Sequence, residues 1–310
     1  MARKKLKWSA MRPSEKRDYV LYLIGQVLKW IFVGAMCIFT LYPVVYTLLG
    51  SFKTNAELTL GGSFLPEHWQ FSNYVYAFQK LDFGKYFLNS VELALLTVVF
   101  TLITSSMAAY VIARREFVGK KIITTAYLLS MFISVGSVAL YPLYSLMTKL
   151  GLTNNMVGLA LVLTGGQAAN IFMISGFVKG IPKDLDEAAT IDGAGPFRIF
   201  WQIIVPAIKP ILGVIALFAF RQAWNEFVTA QVFTMANPGL KTLSVAVANL
   251  RYSSNAAAEW HIMTAGASIA LLPILLVLFG LGGAPKIALV TITVFFQVVM
   301  VMRDAAAAIP

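Results

Sequence analysis

An all-α, polytopic membrane fold is predicted by three observations on the sequence. Of the 310 residues, 58% are hydrophobic and only 13% are charged, and the mean hydropathy is +0.74; a soluble fold carries roughly 25% charged residues to cover its surface. Charge-free runs of 21 to 29 residues recur along the chain, and about 20 apolar residues suffice for a helix to cross the hydrocarbon layer. Lys and Arg concentrate in alternate connecting segments, as the positive-inside bias demands. The same composition excludes a disordered chain and a coiled coil. The single cysteine, Cys37, allows no internal disulfide, and His68 and His261 lie far apart. Structural zinc and a Cys/His metal site are therefore not expected, and no metal ligand is assigned.

The elements follow in order. Residues 1–19 form a basic tail, and the first helix occupies 20–50, with Trp30 to Gly50 a charge-free run of 21 residues. The start is basic, but the apolar run is long and no small-residue cleavage site follows it, so this is a retained helix and not a cleaved signal. Residues 51–86 form an extracytoplasmic segment expected to carry a short helix on the outer surface. Residues 87–285 form a transmembrane domain of five helices. Four of its spans are Leu93 to Ala113 (21 residues), Ile122 to Thr148 (27), Leu150 to Val178 (29) and Ile262 to Pro285 (24). The fifth span in chain order starts at Ile211 and reaches about Phe233, interrupted by Arg221 and Glu226. The apolar segment 286–310 is an extension of the sixth helix, a surface-lying stretch or a short seventh span, three placements that the sequence leaves open.

With the N-terminus in the cytoplasm, the inside segments 1–19, 113–121 and 178–210 hold 15 of the 25 Lys and Arg, and the outside segments hold 6. The net charge of +11 is thereby a topology signal, and nucleic acid is not expected as a partner. Tyr42, Tyr46, Tyr141 and Tyr144 fall near outer ends, where amphipathic rings favour the interface; plain packing accounts for each ring equally well.

The segment 179–210 is the longest connection on the cytoplasmic side. Pro182, followed by Asp184, Asp186 and Glu187, marks a helix start whose acids suit the positive end of the helix dipole. Leu185, Ala188, Ala189 and Asp192 recur at spacings of three and four, giving a short helix with a small-residue face. Gly193 and Gly195 permit a turn. Phe197, Phe200 and Trp201, with Ile203 and Ile204, form a second amphipathic segment, which Pro206 and Pro210 bend before the fifth span. Such a helix fits a groove on another protein or rests on lipid. Its acidic first turn favours the protein, because anionic lipid repels it.

The run Glu187-Ala188-Ala189, three residues, Gly193, nine residues, then Ile203-x-Val205-Pro206 resembles the EAA loop of ABC importer permeases. The fuller form, Asp186 to Ala194 with Pro206 and Pro210, is similar to the carbohydrate-importing, maltose-permease type. Trp224-Asn225-Glu226-Phe227 resembles a WN(D/E)F segment common there, as do Pro43, Ser51 and Phe52-Lys53. The resemblance covers roughly residues 20 to 280. It implies a type I ABC importer fold with six core transmembrane helices and a cytoplasmic coupling helix between spans four and five. It implies a second homologous permease subunit, two ATPase subunits and an extracytoplasmic solute-binding protein, in a bacterial plasma membrane whose lipid surrounds the spans. Asp186, Glu187, Ala188, Ala189, Asp192, Gly193, Ala194, Phe197 and Pro206 would form the coupling region, with Glu187 the charged contact to the ATPase. The chain has no GxxxxGK[ST] phosphate loop, so it is not itself an enzyme. It is expected to bind no cofactor, and ATP and Mg belong to the partner subunits. Val205 stands where the family pattern usually has Leu, and the apolar tail after Lys286 departs from the family.

Arg221 lies 11 residues beyond Pro210, about 16 Å along a helix and near the bilayer midplane. Related sugar permeases are expected to have an apolar residue there. Arg221 either pairs with another helix or partner subunit, or lines the path and meets an anionic saccharide such as a uronate oligosaccharide. Trp224, Asn225 and Glu226 are assigned to the same path. Gly165, Gly166, Gln167 and Asn170 break the fourth span and either pack helices closely or line the pathway. An ion-coupled secondary transporter is the alternative; it requires intramembrane carboxylates, and Glu226 alone could serve.

Overall fold

The computed structural model describes residues 12–80, 82–133, 136–250 and 259–279, and among them every regular element is helical. The predicted C-terminal segment 286–310 and most of the basic tail lie outside the described residues. The chain divides into two units, Met1–Gln70 with Leu271–Pro310, and Phe71–Ala270.

In the first unit, α1 (Pro13–Gly50) contains the stretch Tyr19–Gly50, 32 residues long and apolar enough to cross a membrane. Trp30, Phe32, Ile38 and Phe39 project outward, as befits a helix whose solvent is lipid. Within the segment 51–86 lies α2 (Asn55–Thr59), started by a capping box: the Thr54 hydroxyl accepts from the Glu57 N–H and the Glu57 carboxylate accepts from the Thr54 N–H. The other Glu57 oxygen accepts from the Glu67 N–H at 2.8 Å. These backbone donors hold the Glu57 carboxyl below its usual range.

The second unit begins with α3 (Ser72–Lys80) and is organised on α4 (Phe83–Arg114), 32 residues long and apolar enough to span. Ser90, Ala94, Thr97, Thr101, Ser105 and Ala109 recur every three or four residues and are buried, whereas Leu95, Val99, Ile103, Met107 and Val111 recur every four and are exposed. The pattern inverts a soluble helix: small and hydroxyl side chains face protein and large apolar ones face lipid. Membrane helices approach closely through such small residues. Against this face pack α7 (Met156–Leu163), α8 (Ala168–Lys179) and α12 (Lys209–Trp224). Gly158 lets the turn before α7 fold back onto the helix, since a Cβ there would lie 1.8 Å from the Leu152 carbonyl oxygen.

Several predicted spans are interrupted. The interval Ile122 to Thr148 contains α5 (Lys120–Ser130) and α6 (Leu140–Lys149), separated by a break in which Gly136 takes φ +56. The fourth interval is α7 and α8, bent by 66°. The loop 179–210 holds α9 (Asp184–Ile191), α10 (Pro196–Ile199), a π turn (Phe200–Ile204) and α11 (Val205–Ala207). Pro196–Ala207 meets α12 at 83°, the bend expected from Pro206 and Pro210. Beyond α12 come α13 (Val228–Thr234), α14 (Leu243–Asn249) and α15 (Trp260–Phe279), which occupies the described part of the sixth predicted span.

Candidate coupling surface and membrane-embedded polar residues

The helix α9 ends in a Schellman turn. The Ala194 N–H donates to the Ala189 carbonyl at 2.9 Å and the Gly193 N–H to the Thr190 carbonyl at 3.0 Å, with Gly193 at φ +77. A side chain at that φ is strained, which is why the turn needs glycine. Ala189 and Ala194 turn inward and pack on a cluster of buried side chains. Glu187, Ala188 and Asp192 face outward, beside Leu185 and Ile191, the latter 87% exposed. The exposed surface thus mixes carboxylates with large apolar side chains.

Asp186, one of the residues assigned to the coupling region, faces inward. Its carboxylate lies 3.3 Å from Arg114 Nε at the C-terminus of α4, and the Arg114 side chain is only 4% exposed. Another guanidinium nitrogen of Arg114 donates to the Ile181 carbonyl at 2.7 Å. Arg114 therefore ties both the start of α9 and the turn before it to the end of α4. Sequence reasoning counted Arg114 only as a topology marker, since its partners lie 67 and 72 positions away in the chain.

The second amphipathic segment splits its aromatic residues between two faces. Ile199, Phe200, Ile204 and Ile208 are buried with Ile112, Ile171 and Ile174 in one cluster, and the Phe200 ring lies 5.5 Å from that of Tyr110. Phe197 and Trp201 instead face outward, with Phe197 67% exposed. The π turn adds a residue to the local repeat and moves the inward face from Ile199 and Phe200 to Ile204 and Ile208. Pro206 is exposed in the first turn of α11. Nearby, Glu116 on the α4–α5 connection is paired with Lys120 at 2.7 Å, and that ammonium holds its carboxyl below the usual range.

Of the residues assigned to the path, two are structural. Trp224 is 2% exposed; its indole N–H donates to the Ala270 carbonyl at 3.2 Å, and its own carbonyl accepts from the Ser244 hydroxyl. Enclosure removes Trp224 from the path. Glu226 accepts from the Thr229 N–H at 2.8 Å and so caps α13. Asn225 ends α12, with its Oδ1 buried and unbonded. Arg221 is exposed, and its guanidinium makes no ion pair or hydrogen bond among the described residues. Beside it Gln222 reaches the fourth span, donating to the Leu163 carbonyl at 3.3 Å. Gln222 had no distinguishing sequence signal beyond polarity within an apolar run.

Residues 102–283 match the family described as binding-protein-dependent transport system inner membrane component. The diacetylchitobiose uptake system permease protein of Streptomyces coelicolor is 35% identical over 191 residues, which cover 61% of this chain and 63% of that relative. The galactooligosaccharides transport system permease protein of Bacillus subtilis is 32% identical over 262 residues, 83% of this chain and 90% of the relative. Among solved structures, a bacterial ABC transporter involved in the import of the acidic polysaccharide alginate matches in fold, with a TM-score of 0.69 over 84% of this chain and 95% of that one at 23% identity.

Proposed function

The chain belongs to the family of binding-protein-dependent transport system inner membrane components, and from that premise we propose that it is the permease subunit of an ATP-driven importer for a sugar or oligosaccharide. The saccharide reading is supported by the relatives, whose names assign them diacetylchitobiose and galactooligosaccharides. The observation that carries the mechanism is α9. It presents Glu187, Asp192, Leu185 and Ile191 outward, while Arg114 binds its other side to α4.

In this reading α9 docks on an ATPase subunit in the cytoplasm, with the N-terminus of the chain on the same side. Glu187 and Asp192 meet basic groups there, and Leu185, Ile191 and Phe197 fill apolar hollows. ATP and Mg are held by two such subunits, and this chain supplies the lever. Displacement of α9 is passed to α4 through the Arg114–Asp186 pair. Displacement of the α10–α11 segment is passed to α12 through the isoleucine cluster and the 83° bend. A second homologous permease completes the passage, and a solute-binding protein delivers the saccharide. The ion-coupled alternative loses its support, because the Glu226 carboxylate is occupied in capping α13 and the family is binding-protein-dependent.

A second reading, that the saccharide is acidic, rests on Arg221. An exposed guanidinium on a membrane helix with no protein partner among the described residues is costly in lipid and well suited to a carboxylate in a wet passage. Purification from native membrane tests the main reading: ATPase subunits should accompany the chain and be lost when Glu187 is replaced by Lys. A chain that transports saccharide alone, without an ATPase, would overturn it. Arg221→Gln should cut uptake of uronate oligosaccharides at least tenfold while sparing neutral ones; uronate uptake unchanged from the parent rejects the acidic reading.

A further inference from the structure

We propose that the break in the fourth span and the facing side of α12 form a hydrogen-bonding ledge for saccharide hydroxyls, built by Gln167, Asn170 and Gln222. The proposal rests on the importer reading and names the contact that the passage makes with its cargo. Leu163 is the last residue of α7, so its carbonyl has no partner further along that helix. Gln222 donates to it from α12 at 3.3 Å and Gln167 from the break at 3.5 Å. Asn170, one turn into α8, donates to the Gln167 side-chain carbonyl. Three amides from three segments thus converge around one backbone acceptor.

That network uses part of what the amides offer. Each carries two N–H donors and a carbonyl acceptor. The Asn170 and Gln222 carbonyls, and a second N–H on each of the three amides, have no protein partner among the described residues. Gln222, Gly165 and Gly166 are exposed, so the break also offers backbone groups. Hydrocarbon does not tolerate such groups unsatisfied; irregular backbone at membrane depth survives only inside protein or along a wet cavity. The long exposed row of α4 is apolar by contrast, as Leu95, Val99, Ile103 and Met107 show. A cluster of amides at a helix break therefore faces a water-filled passage.

The chemistry selects the ligand. A neutral amide places a donor beside an acceptor, the pattern that a pair of neighbouring ring hydroxyls complements. It needs no charge on the ligand, so the ledge reads hydroxyls whether or not Arg221 also meets a carboxylate. Discontinuous helices supply such sites in membrane transporters because their broken ends leave oriented backbone groups at mid-depth.

The test uses the full complex, with its ATPase subunits and binding protein, in proteoliposomes. On a Cys37→Ser chain, single cysteines at 222 and 170 are exposed to the membrane-impermeant anion 2-sulfonatoethyl methanethiosulfonate, with Val99→Cys as the lipid-facing reference. Reaction at 222 and 170 should be at least tenfold faster than at 99. Equal, slow reaction would mean that lipid or the second permease covers the amides, and overturns the ledge. In parallel, Gln222→Leu and Asn170→Leu are assayed with a tritiated pool of neutral gluco-, galacto- and chito-oligosaccharides. Uptake should fall about tenfold, the scale of a lost hydrogen bond, while ATPase activity stimulated by the binding protein stays within about twofold of the parent. Unchanged uptake sinks the ledge and leaves the importer reading intact. A parent complex that takes up neither this pool nor uronate oligosaccharides rejects the saccharide reading itself.

Discussion

Replacing Arg114 by Gln should uncouple ATP hydrolysis from transport. The side chain is 4% exposed and its carboxylate partner on Asp186 is 19% exposed, 3.3 Å away. Removing one member of a fully buried ion pair costs about 3–5 kcal/mol, whereas exposed pairs are worth about 0–1 kcal/mol. Partial exposure of Asp186 places this pair between those limits, at about 1–3 kcal/mol. The lost donor to the Ile181 carbonyl adds about 1 kcal/mol. The loss falls on the attachment of α9 to α4 and not on the fold as a whole, because the isoleucine cluster beneath is untouched. A loss of about 2 kcal/mol changes the ratio of attached to detached α9 about thirtyfold. Saccharide uptake and ATP hydrolysis measured on the same proteoliposomes should show hydrolysis within about threefold of the parent and uptake per ATP reduced about tenfold. Asp186→Asn should behave alike. The double variant should lose less than the sum of the two single losses, since no charge is left unpaired. A parental ratio of uptake to hydrolysis in either single variant, or strict additivity in the double, refutes the reasoning.

Two further outcomes follow from the backbone. Gly158→Ala places a methyl carbon 1.8 Å from the Leu152 carbonyl oxygen, so the turn before α7 must move; a loss of about 1–3 kcal/mol should appear as a lowered thermal midpoint in detergent. Gly176→Ala, which meets nothing within 4 Å, should be silent in the same assay, and equal midpoints for both variants would refute the packing of α7. At Glu57 the folded carboxyl titrates below its ordinary value of 4.5 because it accepts from the Thr54 and Glu67 N–H groups. Its contribution is complete above 4.5 and disappears as pH falls through the depressed folded value. Hydrogen exchange at the Thr54 and Glu67 amides should therefore show an acid-dependent loss of protection in the parent that Glu57→Gln lacks.

The parts legible in the sequence are those fixed by local chemistry. Gly193 has to be glycine for a turn at φ +77, and the acids at 184, 186 and 187 mark a helix start wherever the helix lies, so the start and the end of α9 could be read locally. The helical class and the long spans α1 and α4 follow from run length. The break at Gly165-Gly166 was legible from the glycines and the polar Gln167 and Asn170 beside them; the one at Gly136 was not, because apolar content is the same on both sides of it. Face assignment failed where it depended on distant partners. Asp186 looks like its neighbours until Arg114, 72 positions earlier, is brought beside it. Which side of the second amphipathic segment turns inward could not be read either, because a π turn shifts the repeat and leaves Phe197 exposed and Ile204 buried. Trp224 and Glu226 resembled pathway residues because polar groups at membrane depth suit a pathway and a helix cap equally; only the bonds to Ala270 and Thr229 separate the two.

The coupling surface and the amide ledge share their supports, which constrains how one can act on the other. The helix α12 is 16 residues long, about 24 Å; it meets the bent coupling segment at Ile208 and carries Gln222 near its other end. The helix α4 packs along α12 and also along α7 and α8, the helices that flank the break, and it ends in Arg114. Both routes from the loop, the ion pair into α4 and the 83° bend into α12, therefore lead to elements that hold the ledge from opposite sides. Gln222 and Gln167 reach the same Leu163 carbonyl at 3.3 and 3.5 Å, near the outer limit of a hydrogen bond. A shift of α12 against α7 by about 1 Å would break the Gln222 contact and free its N–H. In the proposed mechanism, the distance at which ATP-driven movement alters saccharide binding would thus be set by one long hydrogen bond between two broken spans, and shortening the side chain in Gln222→Asn should weaken the ledge in every state, not in one.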